Sequence, residues 1–506
     1  MKALRLTADV CVIGAGAGGA VVAAELAEGG ADVVVLEQGP RHDEAAFTAH
    51  PPQMLARLYR DGGQTVTLGT PPILLPLGRG LGGTTLVNSG TCFRTPPHVL
   101  ARWEREFGLD GLGEQALAPA FARVEQALSV AEVTPELAGR NAAVARRGAE
   151  ALGWSHGYLH RNARGCSGSG VCAFGCPTGA KQHTGITYVP RAQAAGARIV
   201  TGADVRRIVV AGRRACGVEA RVSGAAAGAS GPRVGAEAAG GASRRLLVDA
   251  PHVVVATGTI HTPLLLGRSD LGAGSGQLGR NLSLHPATAA FALMDEVVDM
   301  ARGVPQSFFV DEFAAEGILF EGVAGPPSYA AASLPLSGAR HAEAMARYRN
   351  LAQFGLMVSD SSRGRVRSIG GRPLIRYDLC DADVAKVRSG LERMRQLFEA
   401  AGAREVYLPL PPDVEPHAAR PRDLKLMAFH PLGTARAHAD ARHGVVDGDL
   451  ALHGVEGVHV ADGSVVPSAL GVNPQLTIMA LATRLAFGLL DRAVPTTAEE
   501  EAACRS

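Results

Sequence analysis

The apolar positions of the chain follow two periods. Ala8–Ile13 and Asp32–Leu36 are short apolar runs rich in β-branched residues, and each reads as a buried strand. Ala20–Ala27 between them reads as a helix. Together they predict a βαβ unit within about 30 residues. Val99–Phe107 and Glu114–Leu128 read as helices with one apolar face. Residues 199–220 alternate in strand fashion, and Leu246–Ala256 returns to strand. Ser223–Ser243, between these, is Ala/Gly-biased and lacks a period, as a surface hairpin insertion would. Residues 286–425 mix strands with at least one helix, near Ala382–Ala401. The acidic final dozen residues read as frayed.

Composition narrows the picture. Hydrophobic residues at 46% against 19% charged exclude a disordered chain. Lys+Arg and Asp+Glu number 50 and 48, a formal net charge of +2, which gives no support for a nucleic-acid or anionic-membrane footprint. No stretch reaches about 18 uninterrupted apolar residues. The nearest, Leu476–Leu490, contains Arg484. No membrane span is therefore expected, while peripheral contact with a membrane stays open. Lys2 and Arg5 before the apolar run Val10–Ala24 superficially resemble a secretory signal. The glycines of that run and the following Glu25 and Glu28 fit a strand, turn and helix better. Eight cysteines are too sparse for a disulfide scaffold and fit a reducing, cytoplasmic location.

The turn after the first strand reads Gly14-Ala15-Gly16-Ala17-Gly18-Gly19, a G-x-G-x-x-G fingerprint. Gly14 allows a tight turn, Gly16 lets backbone approach a pyrophosphate, and Gly19 lets helix and strand pack closely. The helix start then offers free N–H groups to phosphate. Glu37 ends the second strand, where a carboxylate binds ribose hydroxyls and repels a 2′-phosphate. Strand, turn, helix, strand and acid together point to a dinucleotide site.

Further motifs carry a family resemblance. Gly82-Gly83-Thr84-Thr85-Leu86-Val87-Asn88 resembles the loop of the glucose–methanol–choline (GMC) oxidoreductases that passes along the flavin. Gly258-Thr259-Ile260-His261-Thr262-Pro263 is similar to that family's second signature, with Thr259 where Ala is usual. Gly279-Arg280-Asn281-Leu282, His285-Pro286, Phe429-His430-Pro431-Leu432-Gly433-Thr434, Ala461-Asp462-Gly463-Ser464 and Gly471-Val472-Asn473-Pro474-Gln475-Leu476-Thr477-Ile478 match in order. The likeness spans residue 8 to about 490 and is weakest across 290–425. Phe93–Trp103 and Cys172–Thr184 resemble the long-chain fatty alcohol oxidases; Asp462–Pro474 is also similar to GMC-type cholesterol oxidases.

The resemblance implies an α/β fold: a discontinuous Rossmann-type FAD-binding domain with an antiparallel-sheet substrate domain. Residues 1–285, including the cysteine-rich loop 162–184, and 426–495 would form the FAD part; 286–425 would bind substrate. Bound FAD would oxidise a small-molecule alcohol, hydrophobic, long-chain or sterol-like, to a carbonyl, then pass electrons to dioxygen or an external acceptor. By family position His430 is the base that takes the hydroxyl proton, and Asn473 binds the alcohol oxygen. Val205 matches the position whose backbone meets the adenine. Gly82, Gly83, Thr84 and Asn88 would contact the flavin through their loop. Asp462 and Gly463 would lie near its ribityl chain and pyrophosphate. Pro474 and Thr477 would set a helix start against the flavin's pyrimidine edge. His285 divides between a structural and a pocket role, and Glu321 reads as a surface glutamate.

Cys166-x5-Cys172-x3-Cys176-Pro177 stands out in so thiol-poor a chain. Three thiolates on one loop can ligate iron or zinc, with His183 available as a further ligand. An iron–sulfur cluster there would make the enzyme a dehydrogenase, for instance of sugars or polyols. Free thiols, or one disulfide with a spare, are the plain alternatives. A flavin-binding redox partner without turnover is the alternative of another class.

Overall fold

The computed structural model describes residues 3–223, 243–496 and 499. The βαβ unit lies at the centre of a five-stranded parallel sheet. Its order is Val458–Val460, His252–Val255, Val10–Ile13, Val33–Glu37, Arg198–Thr201. Val10–Ile13 and Val33–Glu37 are buried at every position, as strands covered on both faces must be. The helix between them runs Ala17–Glu28 and packs on the Gln475–Leu489 helix. Its small residues permit a close approach. A Cβ on Gly18 would sit 1.8 Å from the Ala461 carbonyl oxygen, and one on Gly19 2.0 Å from that of Gly14.

A second sheet of four strands has the order Leu4–Thr7, Arg244–Asp249, Arg214–Val222, Ala203–Ala211. Its longer strands alternate buried and exposed positions over stretches, which is the pattern the sequence displays. Val222 pairs with Arg244. The Ser223–Ser243 insertion joins these neighbouring strands; its expected hairpin lies outside the described residues, as do nearly all of the last dozen.

The third sheet has eight strands. Seven follow the order Ile73–Leu74, Leu426–Met427, Ala287–Leu293, Leu351–Val358, Ile318–Gly322, Phe308–Val310, His156–Tyr158, and Glu405–Tyr407 adds to Ala287–Leu293. All pairs are antiparallel except Ile73–Leu74 with Leu426–Met427. The sheet therefore draws edge strands from well outside 286–425. The Asp381–Ala400 and Pro135–Leu152 helices pack together against it. The Pro135–Leu152 helix has a weak sequence pattern, being Ala-rich and interrupted at Gly139, whose φ is 79°. Register sets Glu321 opposite Gly355 and Gly355 opposite Ala289, one row across three strands. Among the described residues no helix is long and apolar enough to cross a membrane.

Candidate active site

A cavity of about 1120 Å³ runs from the carboxyl ends of the parallel strands to the row just described on the eight-stranded sheet. At its nucleotide end Gly14 turns with φ 98°, and a Cβ there would meet the Ala256 carbonyl oxygen at 2.4 Å. The Ala17–Glu28 helix starts at Gly16 with no side-chain cap and no acidic residue in its first turn. Gly16, Ala17 and Gly18 at that start line the cavity, where free helix N–H groups suit an anionic pyrophosphate. The second glycine loop packs onto the first: a Cβ on Gly83 would lie 2.8 Å from the Gly16 Cα. These cradles, which any side chain would fill, fit a dinucleotide such as FAD.

Gly14, Gly16, Glu37, Gly83, Thr84, Asn88, Val205, Asp462, Gly463 and Pro474 all line this cavity. Gly19 and Gly82 stand behind the wall, shaping the turns that form it. Thr477 is fully buried, and its hydroxyl bonds to that of Thr95 at 2.8 Å. The Glu37 carboxylate accepts the N–H groups of Ala15 (2.9 Å) and Gly39 (2.6 Å), so it also braces the glycine turn. Burial raises its pKa above the ordinary carboxylate value. Asp462 accepts from the Gly258 and Ser464 N–H groups and from the Thr262 hydroxyl, tying its own turn to the 258–262 segment at the cavity wall. Asn88 donates to Gln475, which links the second glycine loop to the start of the Gln475–Leu489 helix. Lys181, fully buried, anchors that loop by donating to the carbonyls of Leu86, Asn88 and Cys172. Burial pushes its pKa down to about 8.

At the opposite end His430 and Asn473 meet, though 43 residues separate them. Asn473 Nδ2 lies 3.3 Å from His430 Nε2, and both residues line the cavity. On the other side of the ring, His430 Nδ1 lies 3.4 Å from Nδ1 of His285. His285 is fully buried, and its Nε2 accepts the N–H groups of Leu470 (2.9 Å) and Gly471 (3.2 Å). Its own proton therefore sits on Nδ1, toward His430. Donors thus flank His430 on both sides, and neither flanking residue is a carboxylate. A neutral ring has one lone pair and engages one of these donors at a time; both contacts are long for hydrogen bonds. Burial first, then the neighbouring His285, hold the His430 pKa well below the ordinary histidine value. The ring is held without its second proton, the state a base must start from.

Glu321 departs from the expectation of a surface glutamate. It is only 6% exposed and lines the same cavity. Its Oε2 accepts from Gln306 Nε2 at 2.9 Å and lies 3.4 Å from Asn473 Nδ2, while Oε1 is buried without a partner. Burial raises its pKa to about 7, against the opposing hydrogen bonds from Asn473 and Gln306. The run Ile318-Leu319-Phe320-Glu321-Gly322 does carry a signal: it lacks polar alternation, so it reads as a strand buried on both faces. Gln306 has no such signal.

The metal reading of the cysteines is corrected. Among the described residues no three His, Cys, Asp or Glu side chains gather to hold a metal ion. Each thiol has local partners instead. Cys172 lies 3.2 Å from the Arg161 guanidinium, Cys176 meets the Thr178 hydroxyl and Lys181 N–H, and Cys166 accepts from Gly168 N–H. Cys166, Cys172 and Cys176 do not fit an iron–sulfur cluster, because they do not gather as its ligands must.

Comparison with known proteins agrees with this geometry. Residues 55–287 and 360–482 match the two models of the GMC oxidoreductases, and residues 12–68 match an NAD(P)-binding Rossmann-like domain. An uncharacterized GMC-type oxidoreductase of Mycobacterium tuberculosis is 44% identical, with 95% of this chain and 75% of the relative aligned. The chain belongs to the GMC oxidoreductase family. This GMC oxidoreductase is an FAD-dependent enzyme acting on CH–OH donors, on an α/β fold with a Rossmann-type nucleotide-binding part. A long-chain-alcohol oxidase of Arabidopsis thaliana is 29% identical over 96% of this chain and 68% of its own. Formate oxidase of Aspergillus oryzae has the same fold, with a TM-score of 0.73 at 17% identity over 98% of this chain and 99% of its own. So does pyridoxine 4-oxidase of Mesorbium loti, with a TM-score of 0.70 at 21% identity over 95% and 98%.

Proposed function

We propose that this GMC oxidoreductase oxidises a hydrophobic alcohol to an aldehyde or ketone, with His430 as the base and Asn473 as the group that binds the alcohol oxygen. The observation that carries the proposal is the 3.3 Å approach of Asn473 Nδ2 to His430 Nε2 on the wall of a cavity continuous with the dinucleotide cradle. FAD, when bound, supplies the acceptor for the hydride that leaves the alcohol carbon. The Gly14–Gly19 turn and the uncapped helix start would hold its pyrophosphate, and Glu37 its ribose.

In the tautomer with its lone pair on Nε2, His430 can take the hydroxyl proton at that atom. Asn473 Nδ2 then donates to the developing alkoxide, an interaction strengthened by a donor already held in place. Glu321 and Gln306 hold the Asn473 carboxamide from behind. The wall around them includes Leu74, Val323, Leu356 and Met357, which suits an aliphatic substrate better than a sugar. The likeness to long-chain-alcohol oxidases supports the same choice.

The test is anaerobic mixing of the purified holoenzyme with a panel of alcohols, followed by air. Bleaching by long-chain or sterol-like alcohols and not by polyols is expected. Rapid return of colour in air assigns dioxygen as acceptor; slow return assigns an external one. Bleaching confined to sugars would overturn the substrate reading.

A further inference from the structure

Five large apolar side chains stand out as exposed among the described residues; two of them line the cavity, and a third shares a segment with one of these. Val66 and Phe429 are 48% and 47% exposed and also line the cavity. Leu68, 56% exposed, lies two residues beyond Val66 and pairs its backbone with Arg376. Arg376 ends the hairpin formed by Arg365–Ile369 and Arg372–Arg376. Ile369, at its tip, is 61% exposed. Residues 62–78, which carry Val66 and Leu68, contain no charged side chain.

The hairpin carries the opposite kind of surplus. From residue 361 to 377 there are five arginines and no carboxylate. Arg365, Arg367 and Arg372 are exposed, with no ion-pair partner among the described residues. Arg422 and Lys425 add exposed cationic groups on the cavity wall itself. Scattered exposed apolar residues are ordinary on a soluble protein; a group beside a cavity opening marks a contact surface. Apolar side chains bordered by unpaired arginines match an anionic bilayer, where the former enter the acyl boundary and the latter meet lipid phosphates.

We propose that this face docks on an anionic lipid bilayer and sets the cavity mouth against it, so that the alcohol enters from the membrane. The entry route rests on the hydrophobic-alcohol reading above; the docking itself does not.

The test is co-sedimentation of the holoenzyme with phosphatidylcholine vesicles, with and without phosphatidylserine. Wild type should pellet with the anionic vesicles only. The triple variant Arg365→Glu, Arg367→Glu, Arg372→Glu should bind about a hundredfold more weakly. The double variant Leu68→Ser, Ile369→Ser should lose about tenfold. Both should reduce their flavin with a short soluble alcohol at the wild-type rate, which separates docking from damage to the fold. Wild type remaining in the supernatant with anionic vesicles overturns the docking, as does a triple variant that pellets like wild type. Vesicle binding by an enzyme that no hydrophobic alcohol bleaches keeps the docking and removes the substrate reading alone.

Discussion

The two ends of the cavity are built on different terms. At the nucleotide end, backbone meets backbone: Gly14, Gly18 and Gly19 each leave no room for a Cβ beside a carbonyl. At the alcohol end, side chains meet side chains across distant segments, and the approaches are looser. Gly355 faces that end, where a Cβ would stand 3.1 Å from the Glu321 carbonyl oxygen. The cradle is thus fixed by covalent geometry, whereas the reacting end is fixed by packing and hydrogen bonds. The first tolerates almost no change, and the second can be tuned.

One chemical change made at both ends exposes the contrast. Gly18→Ala puts a methyl group 1.8 Å from the Ala461 oxygen and must displace the helix or the loop. We expect a loss of about 3 kcal/mol and a colourless purified protein, checked by thermal melting and the visible spectrum. A yellow Gly18→Ala protein melting like wild type would break the comparison. Gly355→Ala should keep its flavin and shift KM for the alcohol by a few fold, because the neighbour yields by tenths of an ångström.

The pH response of the alcohol end sharpens it further. The pKa of Glu321 is raised by burial to about 7, so the fold favours the protonated acid. The unfolded chain releases that proton near the ordinary glutamate value of 4.5. The sign follows: wild-type stability falls as pH rises between those values and levels off above them. Glu321→Gln removes this slope. Its stability relative to wild type should therefore improve by up to about 3 kcal/mol between mildly acidic and mildly alkaline pH, read as a widening difference in Tm. A constant difference across that range would show that Glu321 is charged throughout. The smallest effect is expected from Cys172→Ser with Cys176→Ser. It should leave the flavin spectrum in place and iron analysis at background, with stability changed by about 1 kcal/mol or less.

The same contrast decides what could be read from sequence. The cradle was legible because its constraints are local: glycines at fixed spacing between two β-branched runs, with Glu37 closing the unit. His430 and Asn473 were legible only through resemblance, since nothing in the 42 intervening residues announces their contact. For Glu321 the sequence carried only the burial of its strand, while its place at the cavity comes from antiparallel register with Gly355; Gln306, in a bend before Phe308–Val310, gave no signal. The Pro135–Leu152 helix escaped notice because Ala and Gly139 blur its period. A net charge of +2 says nothing of the four arginines that the hairpin collects.

The central claim is that His430, beside Asn473, takes the proton of a bound alcohol. The direct measurement is the anaerobic rate of flavin reduction by alcohol in His430→Ala, in protein whose visible spectrum shows FAD still bound. We expect that rate to fall by a factor of about 10²–10⁴, while in wild type it persists below the ordinary histidine pKa of about 6.5. A variant that reduces its flavin as fast as wild type would contradict the assignment.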